Sequence, residues 1–156
     1  MTFSIDWQNE TVRQMLKLMA AYALALPVGW WREKEAHTIG VRTFPLVAMA
    51  SCGYILVAVP LGHPDPTAQS RVLQGLVAGI GFIGGGAILK AEGNVHGTAT
   101  AASIWNTGVL GAAVAEDRFF LAAVLALLNF FTLRVLLPFK ERIDAKNDRK
   151  TAASLD

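Results

Sequence analysis

Long hydrophobic runs separated by short polar connectors are the first pattern visible along the chain. A helix that crosses a lipid bilayer needs about 20 apolar residues at 1.5 Å rise per residue. Five runs meet this requirement closely enough to be predicted as membrane-spanning helices. They cover about residues 12–30, 45–61, 72–89, 99–115 and 119–138. Residues 139–156 follow as a polar tail that lacks apolar residues for a core, so we predict it to be disordered or loosely helical.

The third run is unusually rich in glycine. In water each glycine costs a helix about 0.5–1 kcal/mol relative to alanine, but in a bilayer an apolar segment must close its own backbone hydrogen bonds and stays helical. Glycines then let neighbouring helices approach closely. On a helical wheel the glycines of this run occupy two faces, which predicts a third helix at the centre of the bundle. The predicted helix-packing residues are Gly75, Gly79, Gly81, Gly84, Gly85 and Gly86.

The same run contains the pattern G-x-G-x-x-G from Gly79 to Gly84. A dinucleotide-binding site with this pattern requires a strand before it and an acidic residue about 20 positions later. Both flanks here are apolar runs typical of membrane helices. We therefore interpret the glycines as helix-packing positions rather than as a nucleotide site, and we predict no cofactor.

The connectors between the runs contain turn-forming residues. The segment 62–66 reads GHPDP, and proline disfavours helix at the residue before it. The segment 92–94 reads EGN and predicts a second turn. Only residues 116–118 separate the fourth and fifth runs, so these two must form an antiparallel pair.

Composition supports a membrane protein. The 156 residues are 53% hydrophobic and 17% charged, whereas soluble domains carry about 25% charged residues. The length suits one bundle without a second globular domain. The net charge of +2 comes from basic residues in connectors and tail, so we predict no nucleic-acid partner. Cys52 is the single cysteine of this sequence and is interpreted as a small packing residue.

The distribution of Lys and Arg predicts the orientation of the chain in the membrane. Nine of these residues lie in or beside the connectors of one side and in the tail, and two, Arg71 and Arg118, lie on the other side. The side with nine is predicted to be cytoplasmic, which puts the N-terminus outside and the C-terminus inside. Lys17 lies just over one turn inside the first span, and the sequence leaves open whether it reaches outward to the surface or faces the bundle interior.

The first cytoplasmic connector, residues 29–43, is a candidate interaction site. Arg32, Glu33, Glu35 and Arg42 would form a patch for a partner or a phosphate, because arginine contacts carboxylate and phosphate through two parallel hydrogen bonds. The alternative is an ordinary solvated loop whose charges pair with one another.

The fourth run carries polar residues at helical spacing. Thr100, Ser103 and Thr107 fall on one side of a helix, with Trp105 and Asn106 beside them. Such hydroxyl and amide groups hold membrane helices together at about 0.6 kcal/mol each. The alternative is that they line a polar path through the membrane, which would make the protein a transporter or channel.

Catalytic and metal chemistry find no support in the sequence. The three histidines are predicted in loops on opposite sides of the membrane, and a zinc site needs several nitrogen or sulfur ligands close together. No serine has a histidine and an acid at matching depth, and no acidic residue lies deep within a run. We therefore predict neither catalytic nor metal-binding residues and do not expect an enzyme.

Three blocks of the sequence resemble the MgtC/SapB family of bacterial inner-membrane proteins. The family patterns are G-L-R-T after an acidic-basic cluster, G-I-G-F-L-G-A-G, and N-V-R-G followed by T-A-A-S-x-W. The corresponding segments here are GVRT at residues 40–43, GIGFIGGG at 79–86, NVHG at 94–97 and TAASIW at 100–105. The resemblance brings Asn94 into the set of candidate ligand or partner residues.

The resemblance implies an all-α inner-membrane protein with five spans, linked to magnesium limitation and, in pathogens, to virulence. It further implies regulation of other membrane proteins, such as the ATP synthase or a cation ATPase, with a homo-oligomer as an additional possibility. Direct magnesium transport is the alternative. Two departures from the family stand out. Trp31 replaces the first acid of the family's Glu-Arg-Glu triplet, and the sequence resembles a short form without the C-terminal cytoplasmic domain of longer members.

Overall fold

Five α-helices and one short β-hairpin make up the chain in the computed structural model. The structure describes residues 7–36, 39–58, 66–91 and 94–152, and the side chains of residues 9–34, 39–58, 66–88 and 95–136. Helices α1 and α2 come first, followed by α3, the hairpin of β1 and β2, and then α4 and α5. Their bounds are Trp7–Ala36 (α1), Thr43–Ala58 (α2), Pro66–Gly86 (α3), Leu89–Ala91 (β1), Asn94–His96 (β2), Thr98–Ala115 (α4) and Phe119–Ala152 (α5).

Each predicted apolar run falls mostly within one of these helices, so the prediction of five helices is confirmed, although the third run, 72–89, extends past the end of α3 to the first residue of β1. Of the two alternatives predicted for the tail, disordered or loosely helical, the structure has the helical one, since α5 continues as far as Ala152. Proline begins α3 at Pro66, where its fixed φ suits the first turn and its missing N–H is no loss. The G-x-G-x-x-G pattern lies wholly inside α3 without a preceding strand.

Among the described residues, one helix is long enough and apolar enough, by its own length and composition, to cross a membrane. It is α5, whose segment Phe119–Leu136 has a mean hydropathy of 2.2, while α2 is apolar but shorter. The polar first turns of α1 and α3, and the many small and hydroxyl residues of α4, lower the hydropathy of the other helices.

The helix at the centre of the bundle is α4, and the prediction of a central third helix is wrong. Helix α4 packs on all four other helices, and 11 of its 18 residues are buried. Helix α3 packs on α2 and α4 at the edge of the bundle. Of its 21 residues, Ile80 and Gly84 are buried.

Glycines on α4, not those on α3, allow the close helix packing. A Cβ atom on Gly111 would lie 2.1 Å from the carbonyl oxygen of Ala48 on α2, and one on Gly108 would lie 2.0 Å from Ile80 Cδ1 on α3. The large side chain therefore belongs to α3 and the gap that receives it belongs to α4. Small residues let α2 approach the backbone of α4, which is how membrane helices gain packing energy.

Of the six predicted packing glycines on α3, Gly84 packs within the chain. A Cβ atom there would lie 3.3 Å from the carbonyl oxygen of Ala101. The other five have open space within 4 Å of an added Cβ, so the structure corrects their assignment as packing positions within one chain. These five are Gly75, Gly79, Gly81, Gly85 and Gly86. Gly75 and Gly79 face an open groove beside α2, and Gly81, Gly85 and Gly86 are exposed because α3 lies at the edge of the bundle.

Two tight connections fix the position of α4. Gly97, before the helix, has φ +86°, and a Cβ there would lie 1.9 Å from the carbonyl oxygen of Ala87, so both conformation and space require glycine. After the helix, Asp117 adopts a left-handed φ of +59°. The N–H of Arg118 then donates to the carbonyl oxygen of Ala113 at 2.9 Å, which closes the turn into α5. The predicted antiparallel pairing of the fourth and fifth runs is consistent with this turn.

Strands β1 and β2 pair antiparallel, with Leu89 opposite His96 and Ala91 opposite Asn94. The sequence predicted a turn in this region but no strands. Residues 92–93 of the turn predicted at 92–94, residues 62–65 of the turn predicted at 62–66, and both His37 and His63 lie outside the described residues.

Candidate functional site

One end of the bundle brings together the three sequence blocks that carry the family resemblance. The first block, residues 29–43, contributes the end of α1 and the loop into α2. The second, residues 71–89, contributes the end of α3, and the third, residues 94–111, contributes the start of α4. Arg32 on α1 is the residue that joins the first block to the third. Its Nε donates to Thr100 Oγ1 on α4 at 2.9 Å, and its Nη2 approaches the same oxygen. Gly84 against Ala101 joins the second block to the third.

Thr100 is buried and Arg32 is partly buried. The arginine therefore binds inside the protein and not in a solvated loop. Hydrogen bonds from a charged donor contribute more than neutral ones, and leaving a buried partner unsatisfied costs about 1–3 kcal/mol. This contact fixes the end of α1 against the start of α4.

Glu33 stabilises the loop that follows α1 through a hydrogen bond to its backbone. Its Oε2 accepts the backbone N–H of Val41 at 3.1 Å. A Cβ on Gly40 would lie 2.5 Å from that carboxylate oxygen and 2.6 Å from the Cα of Glu33, so glycine lets the loop fold back on the helix. Arg42 is exposed at the end of the same loop. Of the four residues predicted as an interaction patch, Arg32 and Glu33 are thus engaged within the chain, Arg42 is open to a partner, and the side chain of Glu35 lies outside the described set.

Trp31 occupies the position where the resemblance predicts an acid. Its ring lies 6.2 Å from the ring of Phe130 at an interplanar angle of 70°, and the guanidinium carbon of Arg134 lies 4.4 Å from its centroid. Its Nε1 is buried and has no hydrogen-bond partner among the described residues. The tryptophan therefore packs α1 against α5 through its ring, and Arg134 faces the π system rather than a carboxylate.

A second polar cluster lies deeper, between α4 and α5. Ser103 Oγ donates to Asn129 Oδ1 at 2.6 Å, and Asn129 Nδ2 donates back to the carbonyl oxygen of Ser103 at 3.2 Å. Thr107 Oγ1 donates to the same carbonyl at 2.8 Å, and Asn106 Nδ2 donates to the carbonyl oxygen of Leu125 at 3.3 Å. Every predicted polar residue of the fourth run other than Trp105 thus has a hydrogen-bond partner within the chain.

Asn129 was missed by the sequence analysis. An amide in the middle of the most apolar run was the available signal, because a polar group in a membrane helix faces a partner inside the bundle. Trp105 was predicted to lie among the polar residues, but its side chain is 48% exposed. It lies instead beside an apolar gap of about 180 Å³ between α3 and α4. Asn94 begins β2, and its side chain lies outside the described set.

A third polar cluster lies at the opposite end of α4. Lys17 is 7% exposed and faces the interior, which decides between the two alternatives for it. Its Nζ donates to the carbonyl oxygen of Ala115 at 2.7 Å and lies 3.0 Å from Asp117 Oδ2. A cation at the C-terminal end of a helix is favourable, because the last carbonyl groups carry partial negative charge. Arg13 also pairs with Asp117.

The charges around Asp117 shift its pKa. Desolvation by burial raises the pKa of this carboxyl group, but the hydrogen bond and charge of Lys17 and the pairing with Arg13 outweigh it, so the pKa lies below its ordinary value of 3.8. Asp117 is therefore ionised at neutral pH and holds two basic residues of α1 at the α4–α5 turn.

Metal-binding geometry does not appear among the side chains that the structure describes. No group of three or more His, Cys, Asp or Glu residues comes close enough to hold an ion there. The polar clusters contain amide, hydroxyl and basic groups bonded to one another. Their arrangement ties α1, α4 and α5 together at three levels.

Sequence comparison identifies the relatives of the chain. The profile of the MgtC family matches residues 18–142. The chain belongs to the MgtC family. This range includes all three sequence blocks and both polar clusters that involve Arg32 and Asn129. The family consists of membrane proteins, so the exposed apolar surface of the helices agrees with the family assignment.

Individual members of the family differ in length from this chain. Protein SrpB of Synechococcus elongatus is 34% identical over 147 residues, which cover 86% of this chain and 77% of that protein. The putative magnesium transporter YhiD of Escherichia coli K12 is 29% identical over 146 residues, covering 88% and 66%. Protein MgtC of Salmonella typhimurium LT2 is 34% identical over 97 residues, covering 62% and 41%. No solved structure matches the chain.

Proposed function

We propose that this chain is a multi-pass protein of a bacterial inner membrane that acts in magnesium homeostasis by binding and regulating other membrane proteins, without catalysis. All five helices would cross the bilayer, with the N-terminus outside and the C-terminus in the cytoplasm. The family membership and the names of MgtC and of the putative magnesium transporter YhiD support the link to magnesium.

Exposed apolar side chains support the membrane placement. Each of the five helices carries large apolar residues on its outer surface, among them Met19, Val57, Phe82, Val109 and Phe120. Soluble monomers rarely expose such extended apolar surface. Helices α1 and α4 contain charged or hydroxyl residues, but Lys17 of α1 and the hydroxyl groups of Thr100, Ser103 and Thr107 of α4 are buried against neighbours, as expected for a bundle that inserts as a unit.

The hydrogen bonds already made by the polar groups of α4 favour a regulatory function over ion transport. The hydroxyl and amide groups of Ser103, Asn106 and Thr107 are bonded to α5 or to α4 itself. An ion path needs polar groups that are free to replace the hydration shell of the ion. Groups already paired across a helix interface favour the interpretation that they hold α4 and α5 together.

An apolar surface on α3 and α4 suits a partner helix. We call it the α3–α4 shelf, and it consists of Leu73, Val77, Gly81, Gly85, Trp105 and Val109. Apart from the glycines these side chains are between 37% and 48% exposed, and an added Cβ on either glycine would meet nothing within 4 Å. Two small residues four positions apart allow a second helix to approach closely, and an exposed tryptophan is a frequent anchor of interfaces.

Partner binding can be tested with two substitutions on the shelf. Trp105→Ala and Gly81→Leu should each abolish growth of a strain that depends on this chain in magnesium-poor medium, with unchanged amounts of the protein in the membrane. A photoreactive residue at position 105 should crosslink to a membrane protein such as the ATP synthase or a cation ATPase, and one at Phe120 should not. Normal growth with both shelf variants would contradict the proposal.

Transport is tested separately. Purified protein in liposomes should show no saturable Mg²⁺ flux. A flux that Asn106→Ala abolishes would decide for a transporter that uses the polar face of α4.

For the orientation, a reporter fused after Asp156 should be read in the cytoplasm, and a reading from outside would invert the topology.

A further inference from the structure

A second open surface of α3 faces α2 and forms a groove of about 730 Å³. We call it the α2–α3 groove. It is lined from Thr43 to Tyr54 on α2 and from Val72 to Ile83 on α3. Its base is closed by the buried side chains of Val47, Ser51 and Ile80.

The groove is apolar although it contains three hydroxyl-bearing residues. Ser51 Oγ donates to the carbonyl oxygen of Val47 at 2.7 Å inside α2, and Thr43 and Tyr54 stand at the two ends of the lining of α2. The middle is formed by aliphatic side chains and by Gly75 and Gly79. A polar solute would gain nothing there, because no free donor or acceptor faces it along most of the length.

Two glycines create the space. An added Cβ on Gly75 or Gly79 would meet nothing within 4 Å. A larger residue at either position would fill the groove without displacing the helices. The packing within one chain therefore does not require glycine at these positions, which points to an occupant outside the chain.

The length of the groove indicates which kind of molecule fits into it. Its walls extend over 12 residues of each helix, which is about 17 Å at 1.5 Å rise per residue. The hydrocarbon core of a bilayer is about 30 Å thick. A partner helix that spans the membrane would use the whole thickness, whereas the acyl chain of one leaflet uses about half of it. The groove matches one leaflet.

The positive charge of Arg42 at one end of the groove favours a lipid with an anionic headgroup. Arg42 is exposed and immediately precedes Thr43, where the groove begins on α2. Glu33, the nearest acid of that loop, is held by the N–H of Val41, and Arg32 is bonded to Thr100. In the proposed orientation this mouth opens at the cytoplasmic leaflet, which carries the anionic lipids.

We infer that the α2–α3 groove binds one acyl chain of an anionic phospholipid whose phosphate is contacted by Arg42. The inference rests on the proposed membrane placement but not on the proposed regulatory role. The lipid covers the glycine face of α3 that the chain leaves open and completes the packing between α2 and α3.

Native mass spectrometry of the purified full chain tests this site. The protein is released from detergent after addition of phosphatidylglycerol or phosphatidylethanolamine with identical acyl chains. The wild type should retain one lipid, and phosphatidylglycerol should be retained about fivefold better, as expected for one arginine near an anionic headgroup. Arg42→Gln should remove the preference between the headgroups and leave binding of the acyl chain.

Gly79→Leu should abolish lipid retention because the leucine occupies the groove. The matched control is Gly81→Leu, which places the same side chain on α3 at a position that also meets nothing within 4 Å but lies outside the groove. It should retain the lipid. If Gly79→Leu cannot be purified, Gly75→Leu replaces it, because Gly75 lines the same groove and its leucine should likewise abolish lipid retention.

Two results would overturn the inference. One is equal lipid retention by Gly79→Leu and the wild type. The other is a dimer of the wild type that Gly79→Leu dissociates without loss of any lipid, because the occupant would then be a second copy of this chain. Failure of lipid binding can be distinguished from failure of the proposed function. The shelf variants Trp105→Ala and Gly81→Leu test partner binding and leave the groove intact.

Discussion

The central position of α4 gives the sharpest test of this fold. We compare Gly111→Ala on α4 with Gly85→Ala on α3. A Cβ on Gly111 would lie 2.1 Å from the carbonyl oxygen and 2.9 Å from the carbonyl carbon of Ala48, and 2.9 Å from Ser51 Cβ. A Cβ on Gly85 would meet nothing within 4 Å.

The magnitude follows from the difference between the two variants. Both replace glycine by alanine inside a helix, and the gain in helix propensity of about 0.5–1 kcal/mol is common to both. It cancels in the comparison. What remains is the overpacking cost at Gly111, about 1–3 kcal/mol or more, because the atom in the way belongs to the backbone of α2 and cannot rotate aside.

Thermal unfolding in detergent, followed by the loss of the monodisperse chromatographic peak, measures this difference. For a chain of this size 1 kcal/mol corresponds to roughly 2–4 °C, so we expect Gly111→Ala to melt about 2–12 °C below Gly85→Ala. Gly85→Ala should melt at or above the wild-type temperature. If Gly85→Ala were the less stable of the two, α3 and not α4 would be the packed centre, and the reasoning would fail.

Three further predictions concern the polar clusters. Thr100→Val and Arg32→Gln should each lower the melting temperature, and the double variant should lose less than the sum, since the two residues share one contact; additive losses would contradict a direct bond. Ser103→Ala and Asn129→Leu should show a coupling energy of about 0.6–1.7 kcal/mol in a double-mutant cycle, and no measurable coupling would place the two side chains apart. Because its pKa is lowered from 3.8, ionised Asp117 stabilises the fold at higher pH. This stabilisation should disappear as the pH falls below 3.8; an acid-unfolding midpoint unchanged by Asp117→Asn would show that the carboxylate contributes nothing.

Parts of the candidate site could be anticipated from the chain. The hydroxyl and amide residues of α4 stood out at helical spacing, and the proposal that they hold helices together agrees with the bonds of Ser103 and Asn106 to α5 and of Thr100 to α1. Their main partner, Asn129, was overlooked in the most apolar run. Arg32 was identified as a candidate, but its partner Thr100 is 68 positions away. A spacing pattern cannot connect two residues on different helices.

The sequence by itself determined the number and approximate ends of the helices. Apolar runs of sufficient length have to close their backbone hydrogen bonds within the segment, and proline, glycine and charged residues mark where the runs stop. For the polar residues 139–152 the sequence left open whether the chain is disordered or loosely helical, and in the structure α5 continues through them.

Only the tertiary structure decided which helix lies at the centre. Both α3 and α4 contain glycines, and a wheel diagram shows which glycines share a face but not whether another helix covers it. Ile80 of α3 fills the gap at Gly108, and Ala48 of α2 covers Gly111, whereas the richer glycine faces of α3 stay open. A small residue permits close approach, but the group that the facing helix places there, a side chain at Gly108 and the backbone at Gly111, determines where the approach takes place.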